Sequence, residues 1–299
     1  MNPTRAALAS LIDYAGLFPP ASLDLADVVS NHLRYLRSPD RWLLGRLIVP
    51  AARLDELADL LRGAADPSAG QAFPWTISVL AAVNDSGLDA LGDRVARLNE
   101  RLQPLGAAVV AVELAAGAAG DIERIARIVP DRYERYLELP LDERLPDLVR
   151  AAGDAGCYAK VRTGGVTAEA FPSPAALARF MALCAEGEVP FKATAGLHHP
   201  FRGSYPLTYE PQSLTATMHG FVNVVLAAAL LHAGHIEEDE VAAILAAARP
   251  FAFGHEAISW GKYRISGIDL SFSRAHLLRS VGSCSFEDPV ADLRRAGWI

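Results

Sequence analysis

Cysteine is scarce. Cys157, Cys184 and Cys284 lie far apart in a chain of 299 residues, with no spacing that would pair them or gather them round a metal. This excludes a disulfide framework and suits a reducing compartment, where each thiol is expected to be a small core residue. Long apolar runs are also missing. The longest, "GFVNVVLAAALLHAG", offers about twelve residues over 220–231 before His232, short of the roughly 18 that span a bilayer. It reads as a buried helix. No basic segment leads into an apolar run and a small-residue cleavage site, and Asp13 comes early, so the N-terminus is expected to be unprocessed. Basic residues are scattered and the formal net charge is -7, which leaves no cationic footprint for a phosphate backbone. The expected setting is cytoplasmic, with neither nucleic acid nor membrane as a partner. Flexible linkers and low-complexity tracts are absent too, and with 51% hydrophobic and 21% charged residues the chain can fill one large core.

What the sequence does have is rhythm. From Trp42 onward, short β-branched apolar runs alternate with amphipathic segments, as strand-helix units around a parallel sheet require. "LLGRLIVPA" leads into a helix over 53–62, "WTISVLAAV" into one over 88–102, and "AAVVAVELA" into one starting near Asp121, whose carboxylate can cap it. "RYLELP" precedes a helix over 144–155, "CYAKVRTGG" one over 174–185, and "PFKATAGLHHP" the long apolar helix. Six such units favour a single α/β domain closed as a TIM-type (β/α)8 barrel, a fold that commonly takes roughly 250 residues. Residues 1–40 stand outside the rhythm, with the turn-prone "DYAGLFPPASLDLADVV", and are expected to form an N-terminal extension covering one mouth. After Glu237 the pattern predicts a further helix, two last strands within "FAFGHEAISWGKYRISGIDLSF", and a polar C-terminal segment in which "SVGSCSFEDPVADLRRAGW", rich in small residues, reads as a structural turn, or else as a loop brought close to the site or to a partner subunit.

Charge on the strands of such a barrel needs a reason, because side chains alternate between interior and helix layer and active sites gather at the carboxyl ends. Lys160 and Arg162 lie two apart in "YAKVRTGG" and face one way with Tyr158, while Lys192 and Thr194 share a face on the next run. The two preceding runs end in Glu113 and Glu138, so four consecutive strands can bring two carboxylates and three cations to one pocket. An unpaired buried charge is costly, so these groups must pair with one another or await a ligand. Gly164 and Gly165 after Arg162, and Gly196 after Lys192, let backbone N–H groups approach an anion, or simply turn the chain into a helix. With the adjacent cations they favour a small carboxylate or phosphate ester.

His198 and His199 are adjacent and cannot both point one way in an extended chain, so at most one is expected to shuttle protons. His219 and Asn223, four apart, are expected on one face of the apolar helix, as a polar stripe or a hydrogen-bonded core pair. His32, His232, His235, His255 and His276 are expected at the surface or at helix ends. Cys284 is an outside candidate for a nucleophile, without an assignable base.

"KVRTGG" and "FKATAG" resemble the lysine-bearing strand ends of class I barrel aldolases, deoxyribose-phosphate aldolase in particular, over about a dozen residues. In that family one strand presents a lysine in a Lys-Thr-Ser-Thr-Gly setting and a later strand another before Gly-Gly. Here the Gly-Gly strand comes first. "FKATAGLHHP" is also similar to an uncharacterised group of bacterial and plant proteins, which implies no function. The aldolase resemblance implies Schiff-base chemistry without a cofactor, with Lys192 as nucleophile and Lys160 as its cationic neighbour. The physical case is independent: a lysine amine, whose ordinary pKa is about 10.4, attacks carbonyls only when neutral, and a nearby cation or apolar burial favours that form. Both lysines could instead act electrostatically.

The expected function is therefore lyase or aldolase-like chemistry on a small anionic metabolite. Lys192, Lys160, His198, His199 and Glu138 are its candidate catalysts. Arg162, Gly164, Gly165, Thr194, Gly196, Glu113, His219 and Asn223 are the candidate binding residues. One alternative is a metal-dependent hydrolase or lyase using His198 or His199, His219 and a glutamate, although no compact His-Glu-x-x-His spacing supports it and three cations oppose a divalent ion. Another is a non-catalytic metabolite-binding protein. A homo-oligomer is left open.

Overall fold

A computed structural model describes residues 1–64, 74–82, 88–248 and 251–299. The chain opens with α1 (Pro3–Leu8), where the Asn2 side chain accepts from the Arg5 N–H and Pro3 occupies a position that needs no donor. It continues through β1 (Ile12–Tyr14) and α2 (Leu25–Leu36). Strand and helix then alternate as β2 (Leu44–Pro50), α3 (Leu54–Ala64), β3 (Trp75–Leu80), α4 (Leu91–Leu102), β4 (Ala107–Ala115) and α5 (Ala119–Ile128). Next come β5 (Glu134–Glu138), α6 (Leu145–Asp154), β6 (Tyr158–Arg162), α7 (Pro174–Glu186) and β7 (Phe191–Thr194). The hairpin β8 (Gly203–Pro206) and β9 (Thr215–Met218) is inserted before α8 (Phe221–His232) and α9 (Glu238–Ala246). The chain ends with β10 (Phe251–Phe253), β11 (Ala257–Trp260), β12 (Tyr263–Ser266), α10 (Gly267–His276), β13 (Leu278–Ser283) and α11 (Glu287–Arg295).

Eight strands of the described chain close a parallel barrel in the order β1, β2, β3, β4, β5, β6, β7, β13, with β13 returning to β1. This is the TIM-type (β/α)8 architecture. Leu47 and Val49, Ile77 and Val79, Ala159 and Val161, and Phe191 and Ala193 belong to the apolar core between strands and helices. The residues between them turn inward, as the two-residue strand period dictates. Asp121 closes the start of α5 by accepting from the Gly117 and Ala118 N–H groups, both at 3.0 Å. α8 is apolar on every side because it packs against α7, α9, α10 and β13 at once. Among the described residues no helix is long and apolar enough to cross a membrane.

Both ends of the chain differ from the sequence expectation. Residues 1–40 supply β1 and α2, the first unit of the barrel, while α1 lies over the amino-terminal mouth and the turn around Ala15, Phe18 and Pro19 reaches the carboxyl mouth. "FAFGHEAISWGKYRISGIDLSF" forms the antiparallel sheet β10–β11–β12 outside the barrel and the start of α10. The eighth barrel strand is β13, so "SVGS" is wall, and Cys284 and Ser285 lead from it into α11. In "WTISVLAAV" the strand ends at Leu80, and Val83 lies outside the described residues.

Candidate active site

Parallel register assembles the site. Glu138 lies opposite Lys160, Lys160 opposite Lys192, and Lys192 opposite Ser280, at one level across β5, β6, β7 and β13. Asp13 from β1 and Glu113 from β4 complete the arrangement. The Lys192 ammonium donates to Asp13 Oδ2 at 2.5 Å and to Glu113 Oε1 at 2.8 Å. Lys160 Nζ stands 2.9 Å from Glu113 Oε2 and 3.0 Å from Glu138 Oε2, and Arg162 Nε donates to Glu138 Oε1 at 3.1 Å. The Ser78 and Ser280 hydroxyls donate to Glu113 and Asp13, both at 2.7 Å, and the Arg46 backbone N–H donates to the other oxygen of Asp13 at 2.8 Å. Carboxylates and cations thus alternate along a chain of contacts from Asp13 to Arg162.

The expected excess of cations is corrected by Asp13: three carboxylates meet three cations. Burial pushes the Glu113 carboxyl up, but Lys160 and Lys192 outweigh it and hold the group well below the usual carboxylate range. Burial and then Lys160 and Arg162 act in the same opposed way on Glu138, with a net lowering. For Lys160, burial favours the neutral amine, yet Glu113 and Glu138 prevail and hold it protonated. The neighbouring-cation field expected to neutralise a lysine is cancelled by the carboxylates between the cations.

Above this network a cavity of about 430 Å³ opens at the carboxyl ends of the strands, bordered by Glu113, Lys160, Arg162, Thr194, His198 and Cys284. Gly164 and Gly165 also border it, but Gly196 does not. Gly164 and Gly196 instead let two strand-end turns touch. A Cβ on Gly196 would come 2.9 Å from the Gly164 Cα, and Gly196 has φ +71°. Thr163 ties the same turns together, its N–H donating to the Thr194 carbonyl at 2.8 Å and its hydroxyl to the Ala195 carbonyl at 2.6 Å. Lys160 borders the cavity. Lys192 does not: it is enclosed by its two carboxylates, with the ammonium 5.4 Å from the Tyr136 ring centre.

The histidines separate. His198 faces the cavity, with Nδ1 3.0 Å from the Ser283 hydroxyl and 3.8 Å from Cys284 Sγ. Burial lowers its pKa to about 4 and raises that of Cys284, so the pair rests as neutral imidazole and thiol rather than as an activated thiolate. His199 stacks on Tyr205 and pairs with Asp292 at 2.5 Å, away from the lysines. His219 precedes α8 instead of lying on it, so the spacing of four does not align it with Asn223. Its Nε2 bonds the Pro172 carbonyl at 2.8 Å. Asn223 donates to the Ile244 and Ala247 carbonyls, both at 2.8 Å, which ties α8 to the end of α9. His32, expected at the surface, is buried against Tyr14 and Trp75. Among the described residues no group of three histidine, cysteine, aspartate or glutamate side chains could hold a metal ion.

Asp13 is the site residue that sequence reasoning missed. Its signal was an acid in the otherwise apolar stretch "LIDY", between Ile12 and Tyr14. Compared with protein-family models and with curated proteins, the chain matches none.

Proposed function

We propose that this barrel catalyses carbonyl chemistry of the lyase or aldolase type on a small anionic metabolite, with Lys160 rather than Lys192 as the attacking amine. The observation that carries this reading is the position of Lys160: it is the barrel lysine that borders the carboxyl-end cavity. Arg162, 56% exposed, stands beside it to receive a carboxylate or phosphate.

The resting Lys160 ammonium must lose a proton before it can attack. Glu138 is the fitting acceptor, because it touches the ammonium and is the more exposed of the two glutamates. A substrate anion on Arg162 competes with Glu138 for that guanidinium and so raises the basicity of Glu138. The neutral nitrogen then bonds to the carbonyl carbon and passes one of its own protons to the carbonyl oxygen, and the proton held by Glu138 returns to that oxygen as the C–O bond breaks and water leaves. Ammonium and carbonyl give iminium and water, so charge is conserved. Glu113, fixed by Lys192 and Ser78, faces the cation throughout. Neutral His198 is placed to carry a proton to or from the substrate carbon.

The test is borohydride trapping with small aldehydes and ketones that bear a carboxylate or phosphate. The chain has three lysines, Lys160, Lys192 and Lys262, so peptide mapping of the adduct is unambiguous. The adduct is expected on Lys160 and absent from Lys160→Arg. An adduct on Lys192, or none from folded protein, sinks the proposal. The protonated resting state of Lys160 favours a second reading, in which it stabilises a developing anion without a covalent bond. In that case Lys160→Arg retains activity on the eventual substrate and no adduct forms.

A further inference from the structure

At the opposite, amino-terminal mouth of the barrel lies a larger cavity of about 770 Å³, beneath α1 and α10. Its walls combine apolar side chains such as Leu44 and Val110 with the guanidinium groups of Arg46, Arg274 and Arg279. Two of these three cations share one carboxylate. Glu134 pairs with Arg46, and with Arg279 at 3.1 Å. Asp13, at the inner end of the cavity, is already held by Lys192 and Ser280. Arg274 spends its Nη2 on the Ala9 and Ser10 carbonyls, at 3.2 and 3.5 Å. Its Nε and Nη1, and the Nε of Arg279, are shut off from solvent and have no hydrogen-bond partner among the described residues.

Buried donors without acceptors are rare because each forfeits its hydration for nothing. Here all three belong to two arginines that line one cavity, and two of them to an arginine that burial and the neighbouring Arg279 pull down to about 10. An acceptor carrying negative charge would satisfy the donors and relieve the repulsion between the guanidiniums together. The volume exceeds what a bare ion needs and lies in the range of metabolite sites, and the apolar walls suit a ligand with a carbon body.

We propose that the amino-terminal mouth is a second ligand site, which takes a small metabolite bearing a phosphate or carboxylate on an apolar body through Arg274 and Arg279. It does not depend on the chemistry assigned to the other mouth.

Titration calorimetry at low ionic strength, with inorganic phosphate, phenyl phosphate and benzoate as probes, tests the site. Phenyl phosphate is expected to bind more tightly than inorganic phosphate, and benzoate binding above phenyl phosphate would assign the carboxylate class. Arg274→Met should weaken the best probe at least about tenfold, the worth of a charged hydrogen bond. Ala275→Glu, at an exposed helix position on the cavity wall, should do the same without threatening the fold. Arg162→Met, at the other mouth, should leave that binding unchanged. Failure of all three probes to bind, binding that survives Ala275→Glu, or loss confined to Arg162→Met would overturn the proposal.

Discussion

Lys160 and Lys192 carry the same ammonium at the same register level, and their neighbours give them different work. Lys192 holds together two buried carboxylates, Asp13 and Glu113, each of which would be costly to leave alone. Lys192→Met should therefore destabilise the fold by about 3–5 kcal/mol, the usual result of stripping one partner from a buried pair. Adding Asp13→Asn should restore part of the loss, because it removes one of the stranded charges. Arg162→Met, which breaks a pair at a largely exposed guanidinium, should cost less than about 1 kcal/mol. Urea denaturation of the variants measures all three, and a Lys192→Met protein as stable as the parent would show that the network is not held in this way. The lysines and glutamates were legible in the sequence because each interrupts an apolar run. Their division of labour was not, since it depends on Asp13, which sits some 180 positions away in the chain.

At the scale of elements, the six internal strand-helix units were legible because their outward faces are unbroken apolar rows, while the first and last strands were hidden by the site itself. β1 is three residues long with Asp13 at its centre, and β13 carries Arg279, Ser280 and Ser283. Polar groups at inward positions erase the pattern that would announce a strand. The same β1 receives α2, and His32 of that helix lies between Tyr14 and Trp75. Burial without a partner for Nδ1 lowers the His32 pKa to about 3. The unfolded imidazole, with pKa about 6.5, takes up a proton that the folded one refuses, so this contribution to stability is complete above about pH 6.5 and falls as the pH drops towards 3. His198, lowered to about 4, acts in the same direction. Each histidine should add up to about 1.4 kcal/mol per pH unit to the slope of stability within that window. Denaturation midpoints measured from about pH 7 down to pH 5 should flatten in His32→Phe. An unchanged slope in that variant would mean that His32 is protonated in the folded protein.

Across the whole molecule, the barrel is closed by the pairing of its most distant strands. Val281 donates to the Leu11 carbonyl at 2.8 Å and Ala15 to that of Ser283 at 2.7 Å, so β1 and β13 leave no open edge. The charged network spans this seam, because Asp13 comes from β1, Ser280 from β13 and Lys192 from β7 beside it. Opening the seam alone would expose a buried lysine and aspartate to partial solvation while severing the hydrogen bonds of both strands. That cost couples the seam to the rest of the wall, whereas a short first strand on its own would be expected to fray. Amides of Ile12–Tyr14 and Leu278–Ser283 should then exchange with solvent deuterium only through global unfolding, with the same free energy and the same denaturant dependence as amides of β3 and β4. In Lys192→Met all of these amides should lose protection by one common amount, equal to the loss measured by urea. Faster exchange confined to β1 and β13 in the parent protein, with a shallower denaturant dependence, would show that the barrel opens at its seam and that the buried charges do not lock it.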